Sequence, residues 1–221
     1  MKQLEHPPDA SPAVIGRWVK EDFERLKSVN HVANMKKCDV VYLAGVQQKP
    51  GRYIVNVLHK TYTVELVDET VVDLMTGKPA DEKLSFVILE YLLGEGGPAP
   101  ETWQPLETIF KHPPLLYHYQ KQVARPLEKM FGYDKQLFEE TSRALAGKRE
   151  KLGGTAFSYA FLPKVKPLIQ VWFGDETELR KPRINALYNL TAEKFLKPTP
   201  LLFVFELLAD FLVKASKKRK P

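Results

Sequence analysis

Cysteine is almost absent from this sequence of 221 residues. The single cysteine, Cys38, excludes an internal disulfide framework and a zinc site built from several cysteines of one chain. The longest apolar run, residues 201–213, is too short to cross a bilayer and is broken by Glu206 and Asp210. Residues 1–11 also lack the apolar core of a signal peptide, so we expect a cytoplasmic protein.

The motifs of several common enzyme classes are missing as well. Gly94, Gly96 and Gly97 follow a helical pattern and precede prolines, whereas phosphate-binding glycines lie between a strand and a helix. No serine or cysteine stands in a nucleophile-elbow phrase. The sequence therefore contains neither a nucleotide-binding loop nor an α/β-hydrolase nucleophile.

Net positive charge is nearly absent outside the C-terminus. The net charge is +6, and residues 214–220 carry five lysines and arginines, which leaves +1 for the rest of the chain. A nearly neutral body is not the surface of a nucleic-acid-binding protein. Nucleic acid is therefore expected only as a partner of Lys217, Lys218, Arg219 and Lys220, and a solvated tail is the alternative.

Strand and helix patterns are present from residue 51 onward. RYIVNVLH, TYTVELV and TVVDLM predict three antiparallel strands, in which Tyr62, Val64 and Leu66 share the buried face. Helical spacing follows over residues 81–93, and Pro126 should kink or divide a helix over residues 115–131. The remaining patterns predict a helix from 134 to 146, strands over 155–161 and 168–173, and helices over 182–196 and 200–214.

These patterns predict an α+β protein: an antiparallel meander packed on helices, with a mainly helical C-terminal half. We expect residues 1–50 to form a segment with one amphipathic helix and residues 51–213 to form a single domain. Residues 94–105 are the expected loop or hinge within that domain, and residues 214–221 are the basic tail.

The first candidate site lies at the end of the strand that closes with WFGDETE. Asp175 and Glu176 form an acidic turn beside Trp172, where carboxylates can act as acid and base or ligate a hard cation. The alternative is a turn in which Asp175 only caps the backbone. Tyr159 lies on the neighbouring strand, whose small-residue face could admit a ligand.

The second candidate site is the phrase KHPPLLYHYQ. Its histidines and tyrosines could bind an anion, a metal or a planar cofactor. His112 and His118 are six residues apart, which is not the spacing of a helical metal pair, so structural or surface roles are the alternative. If buried, His118 could be an axial ligand of a haem or a corrinoid, with Tyr119 beside it.

Several phrases resemble an uncharacterised prokaryotic family catalogued as domain of unknown function 3786. They are GRYIVNVLHKTYTVEL, LEYLLG, RPLEKMFGYD, AFLPKVKPLIQVWFGDE and LYNLTAEKFL, and the order of features covers about three quarters of the chain. The resemblance implies occurrence in anaerobes and a context of corrinoid or other cofactor metabolism. An iron–sulfur role of some relatives does not transfer, because only Cys38 is present, and either Glu176 or Glu178 could be the second family carboxylate.

We therefore expect a non-catalytic protein that binds a small molecule, a cofactor such as a corrinoid or another tetrapyrrole, or a protein partner. The alternative is a metal-assisted hydrolase or lyase that uses Asp175 and Glu176, and the third hypothesis is RNA association through the tail. The candidate ligand-binding residues are Trp172, Asp175, Glu176, Tyr159, His118 and Tyr119.

Overall fold

The computed structural model describes residues 6–46, 50–111 and 113–218. Two antiparallel sheets and a set of helices share one hydrophobic core. This architecture confirms the predicted α+β class. The α-helices are α1 (Pro12–Lys27), α2 (His31–Cys38), α3 (Glu82–Leu93), α4 (Pro113–Tyr119), α5 (Arg125–Phe131), α6 (Lys135–Ala144) and α7 (Pro198–Lys217).

The first sheet is the predicted meander with one additional strand. Its strands β1 (Val41–Leu43), β2 (Arg52–Val57), β3 (Lys60–Glu65) and β4 (Thr70–Asp73) pair in chain order. Tyr62 and Val64 of β3 are buried as expected, and they pair with Val55 and Tyr53 of β2. Apolar side chains alternate along both strands, which turns one face of the sheet toward the core.

The second sheet contains strands β5 (Trp103–Pro105), β6 (Lys148–Glu150), β7 (Thr155–Ser158), β8 (Pro167–Trp172) and β9 (Arg183–Asn189), in the order β5-β9-β8-β7-β6. The predicted helix over 182–196 is wrong, because that region holds β9 and a 3₁₀ turn, Leu190–Lys194. Ile184, Ala186 and Tyr188 are buried at every second position. This two-residue period places β9 beside the central strand β8.

Helix α7 runs through the centre of the helical layer. The sequence predicts a single apolar stripe on it, but residues 199–209 are all buried. The helix is covered on several sides because it contacts α3, α4, α5 and α6. An apolar helix can be covered all round only inside a multi-helix layer.

The regular α-helix predicted over residues 115–131 is interrupted near its proline, as that proline suggested. Between α4 and α5 lies a π-helical segment, Gln120–Ala124, in which the Arg125 N–H donates to the Gln120 carbonyl five residues earlier. In a regular α-helix the Pro126 ring would clash with the carbonyl of Gln122. The extra residue in the turn accommodates the proline without ending the helix.

The first fifty residues are joined to the domain more closely than expected. They hold α1 and α2, and β1 completes the first sheet by pairing with β2. The 94–105 loop is also anchored, because Gly96 N–H donates to the Lys194 carbonyl at 2.8 Å. A Cβ on Gly94 would lie 2.5 Å from the Phe195 backbone, so this close approach requires glycine. No helix within the described ranges is long and apolar enough to span a membrane.

The central position of α7 generates a stability prediction. Leu208 is fully buried on α7, so Leu208→Ala should lower the free energy of unfolding by about 2–5 kcal/mol in a urea titration. Asp210→Ala, at an exposed position of the same helix, is the control and should change it by less than about 0.5 kcal/mol. Equal effects of the two substitutions would contradict the central placement of α7.

Candidate ligand-binding pocket

Asp175 lies in a tight turn after β8. Its Oδ1 accepts hydrogen bonds from Thr177 N (2.9 Å), Thr177 Oγ1 (2.7 Å) and Glu178 N (3.3 Å). The turn is closed by backbone hydrogen bonds between Asp175 and Arg180 in both directions. The Thr177 hydroxyl and these amides hold the pKa of Asp175 below its ordinary value. This is the geometry of the backbone-capping alternative, and the side chain of Glu176 is exposed.

Trp172 is the last residue of β8, and Tyr159 directly follows β7. Trp172 is half-buried, with the Arg183 guanidinium 5.6 Å from its ring centre. Tyr159 is fully buried and donates a 2.8 Å hydrogen bond to Ser142 Oγ on α6. Burial raises the pKa of Tyr159 above its ordinary value. Tyr159 thus has the contacts of a core residue, and Trp172 lies at the end of the central strand.

His118 and Tyr119 end α4 and are buried in different surroundings. The Tyr119 ring packs 5.1 Å from Phe110, and burial raises the pKa of its hydroxyl. His118 faces α7, with Nε2 2.6 Å from Glu206 Oε1. His112, Arg219 and Lys220 lie outside the described residues, while Lys217 is the last residue of α7.

The residues predicted from sequence therefore do not converge on one site. Three places hold them: the turn after β8, the second sheet and the end of α4. Within the described part of the chain no group of three or more His, Cys, Asp or Glu side chains could hold a metal ion. The catalytic role suggested for Asp175 and Glu176 stays a prediction.

A cavity of about 630 Å³ lies elsewhere, between α1, the end of α3 and the beginning of α7. We call it the α3–α7 pocket. This volume is within the range of pockets that enclose small organic ligands, about 300–1,000 Å³. Its lining is part apolar and part charged: Arg25, Glu90, Leu93, Gly94, Glu95, Thr108, Ile109, Lys111, Glu193, Lys194, Phe195, Leu196, Lys197, Pro198 and Leu201.

A buried charge cluster forms one wall of this pocket. The Arg25 guanidinium is 2.6 Å from Asp22 Oδ1 and 3.4 Å from Glu90 Oε1. Asp22 and Glu90 are almost completely buried, whereas the Arg25 side chain is half-exposed. Two buried carboxylates on α1 and α3 thus hold one arginine that borders the cavity.

The carboxyl group of Asp22 has a perturbed pKa. Burial, and then the nearby charge of Glu90, raise the pKa of Asp22 from 3.8 to about 7, although Arg25 opposes the shift. Its Oδ2 is buried without a hydrogen-bond partner among the described residues. The carboxyl group of Asp22 is therefore partly protonated at neutral pH, and its charge changes with pH in this range.

A second polar group joins the end of β9 to the 3₁₀ turn after it and to another 3₁₀ turn, Leu106–Ile109. The buried Tyr188 hydroxyl donates to Glu193 and lies 2.9 Å from Thr108 Oγ1. Burial, followed by the hydrogen bond to Glu193, raises the pKa of Tyr188 to about 12. Tyr188 therefore stays protonated and positions the Glu193 carboxylate at the pocket rim.

Sequence reasoning missed this pocket because its residues come from four separate segments of the chain, around residues 25, 90–95, 108–111 and 193–201. A weak signal existed at Asp22 and Glu90, since each carboxylate stands within an otherwise apolar helical stripe. Buried carboxylates of this kind require a paired cation. The partner is Arg25, three residues after Asp22, but the contribution of α3 depends on helix packing.

The whole-chain comparisons place the protein in a family but do not supply a function. The family described as a domain of unknown function (DUF3786) matches residues 39–211, and the chain belongs to it. This confirms the resemblance found from the sequence. Searches of curated proteins and of solved structures gave no match. The matched range contains most of the pocket lining but not Asp22 or Arg25.

The turn geometry predicts that Asp175 is structural. Asp175→Ala should lower the melting temperature by a few degrees, because the turn loses three hydrogen bonds to one carboxylate oxygen. Glu176→Ala, at the exposed neighbouring position, should leave the melting temperature unchanged. Loss of metal binding or turnover in Asp175→Ala at an unchanged melting temperature would instead support the catalytic hypothesis.

The raised pKa of Asp22 predicts how stability depends on pH. Between about pH 4 and pH 7 the folded protein keeps a proton on Asp22 that the unfolded chain releases, so this group's contribution to stability falls as pH rises. Asp22→Asn cannot ionise. The free energy of unfolding of the variant, relative to wild type, should therefore increase by roughly 1–3 kcal/mol between pH 5 and pH 8.

Urea titrations at several pH values measure this difference. Glu176→Gln, at an exposed position that is not among the groups shifting the pKa of Asp22, is the control and should show no such trend. A constant difference between Asp22→Asn and wild type from pH 5 to pH 8 would mean that Asp22 ionises normally in the folded protein.

Proposed function

We propose that this protein is a non-catalytic binding protein for a small organic acid that also has an apolar part. The observation that carries the proposal is the mixed lining of the α3–α7 pocket, in which lysines stand beside an apolar surface. Pockets with a few placed charges and an apolar lining are typical ligand sites.

The charges of the pocket favour an anionic ligand. Lys111 and Lys194 border the cavity, and neither forms an ion pair with a described residue. The whole lining holds four cationic side chains, Arg25, Lys111, Lys194 and Lys197, against three carboxylates, Glu90, Glu95 and Glu193. A ligand carboxylate between the two lysines would gain charge-assisted hydrogen bonds in a partly enclosed site.

The apolar lining favours a ligand with a hydrocarbon chain or ring. Leu93, Ile109 and Leu201 come from three different elements and border the same cavity, together with Phe195. Each square ångström of apolar surface removed from water contributes about 25 cal/mol. Burial of the apolar part would therefore supply affinity, and the lysines would supply selectivity for acids.

Arg25 has a different role from the two lysines. Asp22 and Glu90 balance its charge and hold its guanidinium at the pocket wall. This arrangement orients an N–H donor toward a ligand without adding an unpaired cation.

No serine, threonine or cysteine in the lining is paired with a base in the manner of a nucleophile, so the described pocket favours binding over covalent catalysis.

A tetrapyrrole ligand has less support than a smaller acid. His118, the candidate axial ligand, is not part of the α3–α7 pocket and faces Glu206 instead. An absorption spectrum of the purified chain tests the corrinoid version directly, because a retained macrocycle would be coloured. The prokaryotic, anaerobic and cytoplasmic setting belongs to this proposal and rests on the sequence alone.

The proposal predicts selectivity for carboxylates over matched neutral compounds. Benzoate and hexanoate should raise the melting temperature of the full chain more than benzamide and hexanamide, because only the acids can pair with lysine. Lys194→Ala should weaken binding of the better acid by about tenfold in calorimetry. Native mass spectrometry of protein purified without denaturant would reveal a retained natural ligand.

Lys78→Ala removes an exposed lysine from a turn of the first sheet and is the matched control. It should leave the dissociation constant unchanged. The proposal fails if acids and amides shift the melting temperature equally, or if the two lysine variants bind equally well.

A further inference from the structure

A second group of charged residues lies between α3, α4 and α7, away from the α3–α7 pocket. Glu206 of α7 is almost fully buried, and Lys83 Nζ lies 2.5 Å from its Oε2. His118 Nε2 lies 2.6 Å from its Oε1. One buried carboxylate thus contacts a lysine from α3 and a histidine from α4.

The contacts among these three side chains are short, although the contact between His118 Nε2 and Glu206 Oε1 does not have hydrogen-bond geometry. The side chain of His118 is 10% exposed and that of Lys83 is 32% exposed. Glu206 is therefore compensated inside the fold, and Lys83 is the more accessible member of the group.

The group also borders a cavity of about 400 Å³, which we call the His118 cavity. His118 and Lys83 are part of its wall, which explains how a ligand could reach this buried group. The cavity shares no lining residue with the α3–α7 pocket. Its lining is Pro8, Asp9, Ala10, Lys83, Pro114, Tyr117, His118, Lys121 and Gln122.

The π-helical segment contributes to the same cavity. Lys121 and Gln122 lie in this segment, directly after His118 and Tyr119. π-Helical turns are rare in proteins, and those that occur are often found at functional sites. Here the segment accommodates Pro126, and it places an ammonium group and an amide beside the histidine.

The donors around the cavity select for an anion. Lys83 and Lys121 are cationic, Gln122 and Tyr117 carry N–H and O–H donors, and Asp9 is the one carboxylate in the lining. Lys121 forms no ion pair with a described residue, and it is therefore available to a ligand.

We propose that the His118 cavity is a binding site for a small oxyanion, namely phosphate or the phosphoryl group of a small ligand. Donors from α3, α4 and the π-helical segment approach from different directions, which suits a tetrahedral group with several acceptor oxygens. Glu206 is a positioning residue that holds Lys83 and His118 at the cavity wall. This site is independent of the organic-acid pocket.

Titration of the full chain with sodium phosphate, at an ionic strength kept constant with sodium chloride, tests the site. Calorimetry should give a dissociation constant of about 1 mM or tighter, and the side-chain ¹⁵N signals of His118 should shift with the same constant. Lys121→Ala should weaken phosphate binding by about tenfold at an unchanged melting temperature, because Lys121 is exposed.

Lys129→Ala, an exposed lysine of α5 outside the cavity lining, is the matched control and should bind phosphate as wild type does. Equal affinities of the Lys121→Ala and Lys129→Ala variants would overturn the proposal. Absence of any phosphate-dependent heat or His118 shift up to about 20 mM would do the same and would assign the cluster a purely structural role. Neither result bears on acid binding at Lys194.

Discussion

The structure depends on the burial of α7. Residues 199–209 are buried at every position, so the helix is stable only when other helices cover its whole circumference. The helices α3, α4, α5 and α6 supply that cover. The first turn of α7 then borders one cavity, and its middle carries Glu206 beside another. Both candidate sites are therefore consequences of how this helix is enclosed.

Buried carboxylates link the packing to the proposed functions. Asp22, Glu90 and Glu206 each lie on a helix within the core, where an isolated charge would cost several kcal/mol. Each contacts a cation at a cavity edge: Arg25 contacts Asp22 and Glu90, and Lys83 contacts Glu206 beside the imidazole of His118. Arg25 and Lys83 also line the two cavities, so a ligand in either cavity can contact the cation that pairs with the buried carboxylates.

Local sequence patterns predicted the elements that depend on local chemistry. The meander followed from the two-residue alternation around Tyr62. Asp81 and Asp134, which precede α3 and α6, accept the backbone hydrogen bonds of N-cap residues. The division of the helix at Pro126 was also predictable from its missing N–H and its ring. The prediction failed for β9, where a helix was expected over residues 182–196, because pairing with β8 decided the conformation of this segment.

The sequence by itself determined the α+β class, the family and the absence of familiar catalytic loops, because these depend on short periods and motifs within one segment. It also identified His118 as a residue of interest, but not its partner Glu206, which lies 88 positions later in the chain. Only the tertiary structure decided which charges meet. Side chains from α1, α3, α4 and α7 are brought together by helix packing, and no spacing within one segment encodes that contact.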